Sequence, residues 1–273
     1  MTSTLLVLTD FFKAADRALD YATNLAEPLG ARLVLLHVRR DALLDPERFI
    51  SGLSNLNREA IDLVMNRLAG NLAVPVVAEV GHGQVADAVA DAITRHHPAL
   101  VVLGRPDYED IPEVMVHTTA LDILRTSPRP LLVVPHNVTA NSLPRRVLLA
   151  ADGEPFSLGP YAGPARQILT ALHAELTVLH VAPKPDPAAL AGALALVVRT
   201  GLTVDLPTPV LGASQVAEDP AEGILQLAQP ADYDLVVLIA RPRSFLGSLF
   251  HRSVTARVLL RSPVPVLILP ATN

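Results

Sequence analysis

Two aspartates, Asp10 and Asp152, each stand at the end of an apolar run and shortly before a segment with helical periodicity. A carboxylate in such a place accepts hydrogen bonds, either from the hydroxyl groups of a bound ligand or from backbone N–H groups of the following loop and helix. The residue types alone leave both interpretations of Asp10 and Asp152 open.

Histidines are the second group of side chains that could do chemistry, and two of them lie in matching Leu-His-Val motifs at residues 36–38 and 179–181. A histidine that repeats inside a strand-like run is typical of packing, so we interpret His37 and His180 as packing residues. The adjacent His96 and His97 cannot both direct their rings at one point, and we predict no metal site there.

These side chains must be positioned by strands, because strand-like apolar runs alternate with helical periodicity through the first half of the chain. The runs are Thr4–Thr9, Arg32–Val38, Pro75–Val80, Leu100–Gly104 and Pro130–Pro135. Apolar residues recur at helical spacing between them, as in Ala14–Leu29 and Gln84–Arg95. Strands that are apolar on both faces and alternate with helices predict a parallel sheet covered on each side.

The same order of segments returns in the second half of the chain. The corresponding strands are predicted at Arg146–Ala151, Glu175–Val181, Val204–Leu211, Leu235–Ala240 and Pro265–Pro270. Since several pairs also agree in sequence, one duplicated domain explains the pattern. We predict two domains at residues 1–137 and 144–273, with the polar stretch His136–Pro144 as the linker at their join.

Composition excludes several classes of function. The 273 residues carry 22 basic and 27 acidic side chains without a Lys/Arg run, so nucleic acid is not an expected partner. The absence of cysteine excludes disulfides, thiolate metal sites and a cysteine nucleophile, and suits the cytoplasm. The apolar runs fall well short of the roughly 20 residues of a membrane-spanning helix, and the N-terminus is read as a first strand. We expect a cytoplasmic protein that has no membrane partner.

A strand that ends in aspartate, a β-α repeat of this size and a proline-flanked, valine-rich fifth strand together resemble the universal stress protein family, in two copies over nearly the whole chain. The resemblance implies two tandem, open, five-stranded parallel sheets of the adenine nucleotide α-hydrolase-like, Rossmann-like class, packed as an intramolecular pseudo-dimer. It also implies that the strand-five segments Leu131–Val134 and Val266–Leu269 pair along their edges. A further homodimer is compatible with the sequence.

The resemblance assigns the adenosine side of a nucleotide site to the strand-one aspartate and to backbone groups at the end of strand two. These positions are Asp10 and Val38 in the first copy, and Asp152 and Val181 in the second. Both copies therefore retain the residues expected on the adenosine side.

The phosphate side of that site follows strand four in the family, where glycines let backbone N–H groups approach phosphate oxygens beside a helix N-terminus. In the first copy Gly104 and Thr118 match the family pattern, whereas Asp107 replaces a glycine and His117 another. The Asp107 carboxylate would repel a polyphosphate. We expect weakened phosphate binding in the first copy.

The second copy departs further from the family pattern after strand four. Ile239, Pro242 and Arg252 occupy the three glycine positions, and only Ser253 is retained. Proline has no N–H to donate. Arg241 and Arg252, together with Arg243, either attract an anion by charge or form an exposed positive surface. Both interpretations are open.

The resemblance implies a stress-response protein with a ligand-sensing or protective role, and the departures from the family's glycine pattern lead us to expect that ATP or AMP is bound weakly or not at all. One alternative is a protein-interaction module without a ligand, and another is a nucleotide-hydrolysing enzyme. The sequence has no Ser-Gly-Gly pyrophosphatase-type loop after strand one and no Gly-x-Ser-x-Gly elbow. We therefore predict no enzymatic activity and no catalytic residue.

Overall fold

The computed structural model describes residues 3–39, 58–106, 119–139, 143–241 and 253–272. Its ten strands form one sheet in the order β3-β2-β1-β4-β5-β10-β9-β6-β7-β8. The strands are β1 (Thr4–Thr9), β2 (Arg32–Arg39), β3 (Val76–His82), β4 (Leu100–Arg105), β5 (Leu131–Pro135), β6 (Arg146–Ala150), β7 (Glu175–Ala182), β8 (Leu211–Val216), β9 (Leu235–Ala240) and β10 (Val266–Pro270).

Helices connect the strands within each half of the chain. They are α1 (Lys13–Leu29), α2 (Arg58–Gly70), α3 (Val85–His96), α4 (Thr119–Thr126), α5 (Ala162–Ala171), α6 (Pro187–Arg199), α7 (Pro220–Leu227) and α8 (Val254–Arg261), with a 3₁₀ turn at Gly159–Tyr161 before α5. None of the helices in the described ranges is long and apolar enough to span a bilayer.

The two halves repeat one topology. Strands β1 to β5 are parallel in the order 3-2-1-4-5, and β6 to β10 follow the same order in their own half. This arrangement confirms the predicted α/β class with two repeated, Rossmann-like domains. The βαβ connections need helices on the faces of the sheet, which explains why the strands are apolar on both sides.

Helices cover both faces of the sheet, because successive strand side chains point to opposite faces. In β1, Leu5 and Val7 pack in the cluster that holds the buried faces of α1, α2, α5 and α6, whereas Leu6 packs with α3, α4, α7 and α8. The buried side chains of both clusters include residues from both halves. The two copies therefore share a continuous core on each face.

The copies meet where β5 and β10 lie side by side. These two strands are antiparallel, unlike the pairs inside each copy, with Leu132 opposite Leu267. All five residues of each strand are buried. The antiparallel pairing joins the two parallel sheets into one.

Polar contacts across the join differ on its two sides. The Arg105 guanidinium of the first copy donates to the carbonyl oxygens of Leu259 and Ser262, at 2.8 and 2.7 Å, at the C-terminus of α8. A cation is favourable there because the last carbonyls of a helix lack intrahelical partners. Tyr161 of the second copy donates its hydroxyl hydrogen to the carbonyl oxygen of Pro128 at 2.8 Å.

The predicted third strand of the second copy, Val204–Leu211, was wrong. Residues 201–205 form turns, and the strand runs over Leu211–Val216 instead. Pro207 and Pro209 interrupt the predicted run and have no N–H for a ladder. Its apolar signal came from residues of the connecting loop, including Leu206 and Val210, which pack against the core. The other nine predicted runs agree with strands to within two residues at either end.

Candidate functional site

Each copy has a crevice at the carboxyl ends of its strands, at the point where the strand order reverses. In the first copy, the chain after β1 continues to β2 on one side, whereas the chain after the neighbouring strand β4 continues to β5 on the other side. The same reversal occurs between β6 and β9 in the second copy. Ligands of open α/β sheets bind at such switch points. Asp10 follows β1 and Gly104 lies near the end of β4, while Asp152 and Arg241 closely follow β6 and β9. Each crevice therefore places the aspartate after the first strand of its copy beside the end of the fourth strand.

Asp10 and Asp152 make the same local turn in the two copies. The Oδ1 atom of each accepts a hydrogen bond of 3.0 Å from the backbone N–H two residues later, at Phe12 and Glu154 respectively. Both carboxylates therefore cap the loop that follows the strand, which is one of the two interpretations left open by the sequence. Both aspartates are also solvent-exposed.

His37 and His180 are bound to the ends of the neighbouring strands. Nδ1 of His37 lies 2.9 Å from the carbonyl oxygen of Thr9, and Nδ1 of His180 lies 3.1 Å from that of Ala151. Since a carbonyl oxygen only accepts, Nδ1 must carry the hydrogen in both residues. The two rings tie β2 to the end of β1 and β7 to the end of β6, in agreement with a packing role.

The residue after the aspartate distinguishes the two crevices. Phe11 and Gly153 both adopt left-handed backbone conformations, with φ of 66° and 78°. Such a conformation costs a residue other than glycine on the order of 1–2 kcal/mol. The Phe11 ring stacks on His37 with centroids 4.5 Å apart and planes at 27°. An aromatic pair of this kind contributes roughly 0.5–1.5 kcal/mol, which offsets part of the backbone strain.

Burial lowers the pKa of His37, and the hydrogen bond to Thr9 and the charge of Asp10 oppose this effect without cancelling it. A lowered histidine pKa means that protonation is harder in the folded state, so this contribution to stability is present above about pH 6.5 and is lost as the pH falls.

We expect the His37 imidazole to titrate below the ordinary histidine value in a ¹H–¹⁵N NMR titration, with His37→Asn identifying its signal. Phe11→Ala uncovers the ring and should move the midpoint upward, because less of the charged form is desolvated. A wild-type midpoint at or above the ordinary value would contradict the packing described here.

Gly104 is required by the close approach of α1 to the end of β4. A Cβ atom at this position would lie 2.2 Å from the carbonyl oxygen of Ala14 and 2.8 Å from the backbone nitrogen of Ala15. The N-terminal turn of α1 therefore lies directly on β4 in the first copy. Close packing of backbone on backbone accounts for the glycine without a phosphate ligand.

In the second copy, a side chain from the end of β9 binds the aspartate of the crevice. The Arg241 guanidinium donates to both carboxylate oxygens of Asp152, at 2.8 and 3.2 Å, and to the carbonyl oxygens of Glu154 and Pro155, each at 2.8 Å. Only 15% of the Arg241 side chain is exposed. The sequence left two interpretations of Arg241 open, an anion site and an exposed positive surface. The structure instead shows its guanidinium bound to the turn at Asp152.

The chain itself makes room for Arg241. In the first copy α1 begins at Lys13, soon after Asp10, whereas α5 begins only at Ala162. Pro155 and Pro160 lie in the longer loop between Asp152 and α5 and disfavour a helix there. Ile239, which corresponds in register to Gly104, packs against the core. The strand order places the residues after β9 beside those after β6, so the ion pair follows from the fold and not from a local pattern in the sequence.

The remaining predicted site residues have structural partners or lie outside the description. Val38 and Val181 lie within the ladders of β2 with β3 and β7 with β8. The Ser253 hydroxyl caps α8 by accepting a hydrogen bond of 3.1 Å from Ala256 N. Thr118 and Arg252 lie outside the described residues, as do Asp107, His117, Pro242 and Arg243.

A shallow cavity of about 570 Å³, open to solvent, lies beside the second crevice. It is lined by the turn residues Gly153 and Pro155 and by the α6 residues Gly192, Ala195, Leu196, Val198 and Arg199. Asp152 and Arg241 do not line it. In the part of the chain that the structure describes, no group of His, Asp or Glu side chains could hold a metal ion.

Comparison with known proteins identifies one family that matches each half of the chain. The model of the universal stress protein family matches residues 1–135 and 144–270. The curated universal stress protein YxiE of Bacillus subtilis is 26% identical over 147 residues, which is 49% of this chain and 99% of YxiE. The fold resembles the crystal structure of a universal stress protein from Archaeoglobus fulgidus, with a TM-score of 0.72, 20% identity and 98% of each chain covered. A putative universal stress protein from Pseudomonas aeruginosa has a TM-score of 0.61 and 18% identity, over 99% of this chain and 94% of its own. Because the family model matches both halves, this chain belongs to the universal stress protein family.

Proposed function

We propose that this chain acts in the stress response as a ligand-sensing or protective protein in which ATP or AMP is bound weakly or not at all. The observations that support this are the α1 backbone packed against Gly104 in the first copy and the binding of Asp152 by Arg241 in the second. The proposed role includes no catalytic step, and we place the protein in the cytoplasm.

In the first copy, the main chain of α1 occupies the side of Gly104 that a Cβ atom would face, so a phosphate cannot approach Gly104 from that side. The backbone of Ala14 and Ala15 lies where any Cβ of residue 104 would be. Moving it would disturb α1, whose buried face packs in the core. The Phe11 ring on His37 fills a further part of this strand end. Displacing this backbone would cost free energy, because α1 belongs to a close-packed interior.

In the second copy, a ligand hydroxyl would compete with a cation for Asp152. Arg241 binds that carboxylate through two parallel N–H groups, a geometry that is stronger than a single hydrogen bond. The Ser253 hydroxyl, which corresponds to the family's phosphate-side residue, accepts from Ala256 N as the cap of α8, and only its own hydrogen remains for a phosphate oxygen. Ile239, Pro242 and Arg252 stand at the family's three glycine positions, and side chains at these positions disfavour a close approach of the backbone to a phosphate.

A second candidate is a protein-interaction module without a ligand, in domains that we propose to span residues 1–137 and 144–273. The pairing of β5 with β10, with Arg105 bound to the end of α8, supports a stable intramolecular pseudo-dimer held through strand five. Native mass spectrometry of the purified chain distinguishes the two candidates, since a co-purifying nucleotide adds a discrete mass.

We expect calorimetric titration of the full chain with ATP, and separately with AMP, to give no saturable binding near or below a Kd of about 1 µM, which would correspond to −8.2 kcal/mol. Arg241→Gln removes the Arg241 guanidinium from the Asp152 carboxylate and should strengthen AMP binding in comparison with wild type. Asp152→Asn added to Arg241→Gln should remove that gain. Micromolar ATP binding that disappears in Ser253→Ala would overturn weakened binding in the second copy.

A further inference from the structure

The described sheet ends in two strands that have a neighbour on one side only, β3 and β8. The fifth strands, which the family resemblance places at the join between copies, are already paired with each other inside the chain as β5 and β10. Any further edge-to-edge association of the sheet formed by the described residues must therefore use β3 or β8.

The outer edge of β8 presents backbone groups to solvent. Ala217 N donates to the carbonyl oxygen of Ala182 on β7 at 3.0 Å. Because backbone groups alternate in direction along a strand, the N–H and C=O groups of Gly212, Ser214 and Val216 point away from β7. All three residues are exposed. Three donors and three acceptors thus lie in a row along this edge.

Side chains on β8 do nothing to prevent pairing with another strand. The segment from Leu211 to Val216 contains no charged residue and no proline. Leu211 is 62% exposed and Val216 is 51% exposed, one at each end of the strand. Natural edge strands are usually protected by charge, by proline or by a bulge. An unprotected apolar edge is a feature of strands that pair.

The opposite edge is protected by charge. On β3, the Glu79 carboxylate lies 2.7 Å from Arg95 and 2.6 Å from His96. Burial raises the pKa of Glu79, but the hydrogen bonds from Arg95 and His96 outweigh burial and hold that pKa below its ordinary value. A second β3 strand would bring another Glu79 carboxylate toward the first. The two edges are therefore unequal, and β8 is the better pairing surface.

We propose that β8 pairs antiparallel with β8 of a second copy of this chain, about a two-fold axis at Ser214. In this register, the residues whose backbone groups point away from β7 lie opposite one another, Ser214 opposite Ser214 and Gly212 opposite Val216. The Val216 side chain therefore lies beside the glycine of the other copy. The uncharged strand creates no like-charge contact with itself. A pairing of β8 with β3 would instead be head-to-tail and would produce a ring or an open filament rather than a closed dimer.

The contact is short. Six residues span about 20 Å at roughly 3.3 Å per residue, and two such strands bury less surface than the 1,200 Å² or so at the lower end of stable interfaces. The dimer should therefore be weak and depend on concentration. Val204, in the loop before β8, is 65% exposed and offers additional apolar surface close to this edge.

The first test is sedimentation equilibrium of the full chain over a hundredfold range of concentration. Wild type is expected to shift toward a dimer as concentration rises. The double variant Leu211→Lys with Val216→Lys should weaken dimerisation at least tenfold by placing like charges along the edge. Leu63→Lys is the matched control, because Leu63 is equally exposed on α2 of the first copy, and it should behave as wild type. A wild type that stays monomeric, or a dimer that the double variant leaves unchanged, would refute β8 pairing.

The second test uses the absence of native cysteine. Directly opposed residues of a hydrogen-bonded antiparallel pair have Cα atoms about 5.5 Å apart, which a disulfide can bridge. Ser214→Cys should form a covalent dimer under mild oxidation. Val77→Cys, on the β3 edge, should not. If Val77→Cys couples faster, or if the two variants couple only with each other, the pairing surface is wrong and β3 is involved.

Discussion

Gly104→Ala should destabilise the first copy by at least about 3 kcal/mol, at the upper end of what overpacking costs. The added Cβ would lie 2.2 Å from the Ala14 carbonyl oxygen and 2.3 Å from its carbon, and both belong to the backbone. A side chain could rotate away from such a contact, but the main chain of α1 cannot move without losing the burial of Ala14, Ala15 and Ala18. Urea unfolding followed by circular dichroism measures the loss.

Gly192→Ala is the matched control for this substitution. Gly192 lies inside α6, and a Cβ there would have no atom within 4 Å. Alanine is favoured over glycine in a helix by about 1 kcal/mol, so this variant should be slightly more stable than wild type. If Gly104→Ala unfolds at the same urea concentration as wild type, the close approach of α1 to β4 is wrong and the first crevice is open.

Leu267→Ala should cost about 2–5 kcal/mol, the usual range for a large-to-small change in a core. Leu267 is 1% exposed and lies opposite Leu132 at the join between β5 and β10. The cavity already present there measures only about 10 Å³, so the surroundings are close-packed and have little freedom to collapse around the lost atoms. Because the residue packs between the copies, both should lose stability together, and calorimetry should show every transition moved to lower temperature.

Leu63→Ala provides the comparison for the join. Leu63 is 70% exposed, and loss of its side chain should change stability by less than about 0.5 kcal/mol. If Leu267→Ala lowers the stability of the second copy alone, the two copies do not depend on each other through β5 and β10.

The strands could be predicted because buried parallel strands leave a strong apolar signal and because the signal occurs twice. The prediction failed at the third strand of the second copy, where that signal is weakest. β8 is an edge strand with exposed residues, and a proline-containing loop beside it carries Leu206 and Val210, which pack against the core. An edge strand buries little, so hydrophobicity cannot locate it.

The positions of the site residues could be predicted, but their partners could not. Asp10 and Asp152 follow the first strand of each copy as expected. The bond from Arg241 to Asp152 joins residues 89 apart and depends on the strand order. The stacking of Phe11 on His37 depends on a left-handed backbone conformation that phenylalanine rarely adopts. Neither contact has a local pattern.

Arg105 at the join has no counterpart on the other side, because the equivalent position in the second copy is Ala240. Two identical chains in a dimer would carry the arginine on both halves or on neither. A single chain holding both halves is released from that symmetry, and the short connection keeps the local concentration of each half high near the other. One half of the chain can then supply the contacts that hold the halves together while the crevice of the other half changes. A substitution in one half also does not have to be compatible with the same position of the other half.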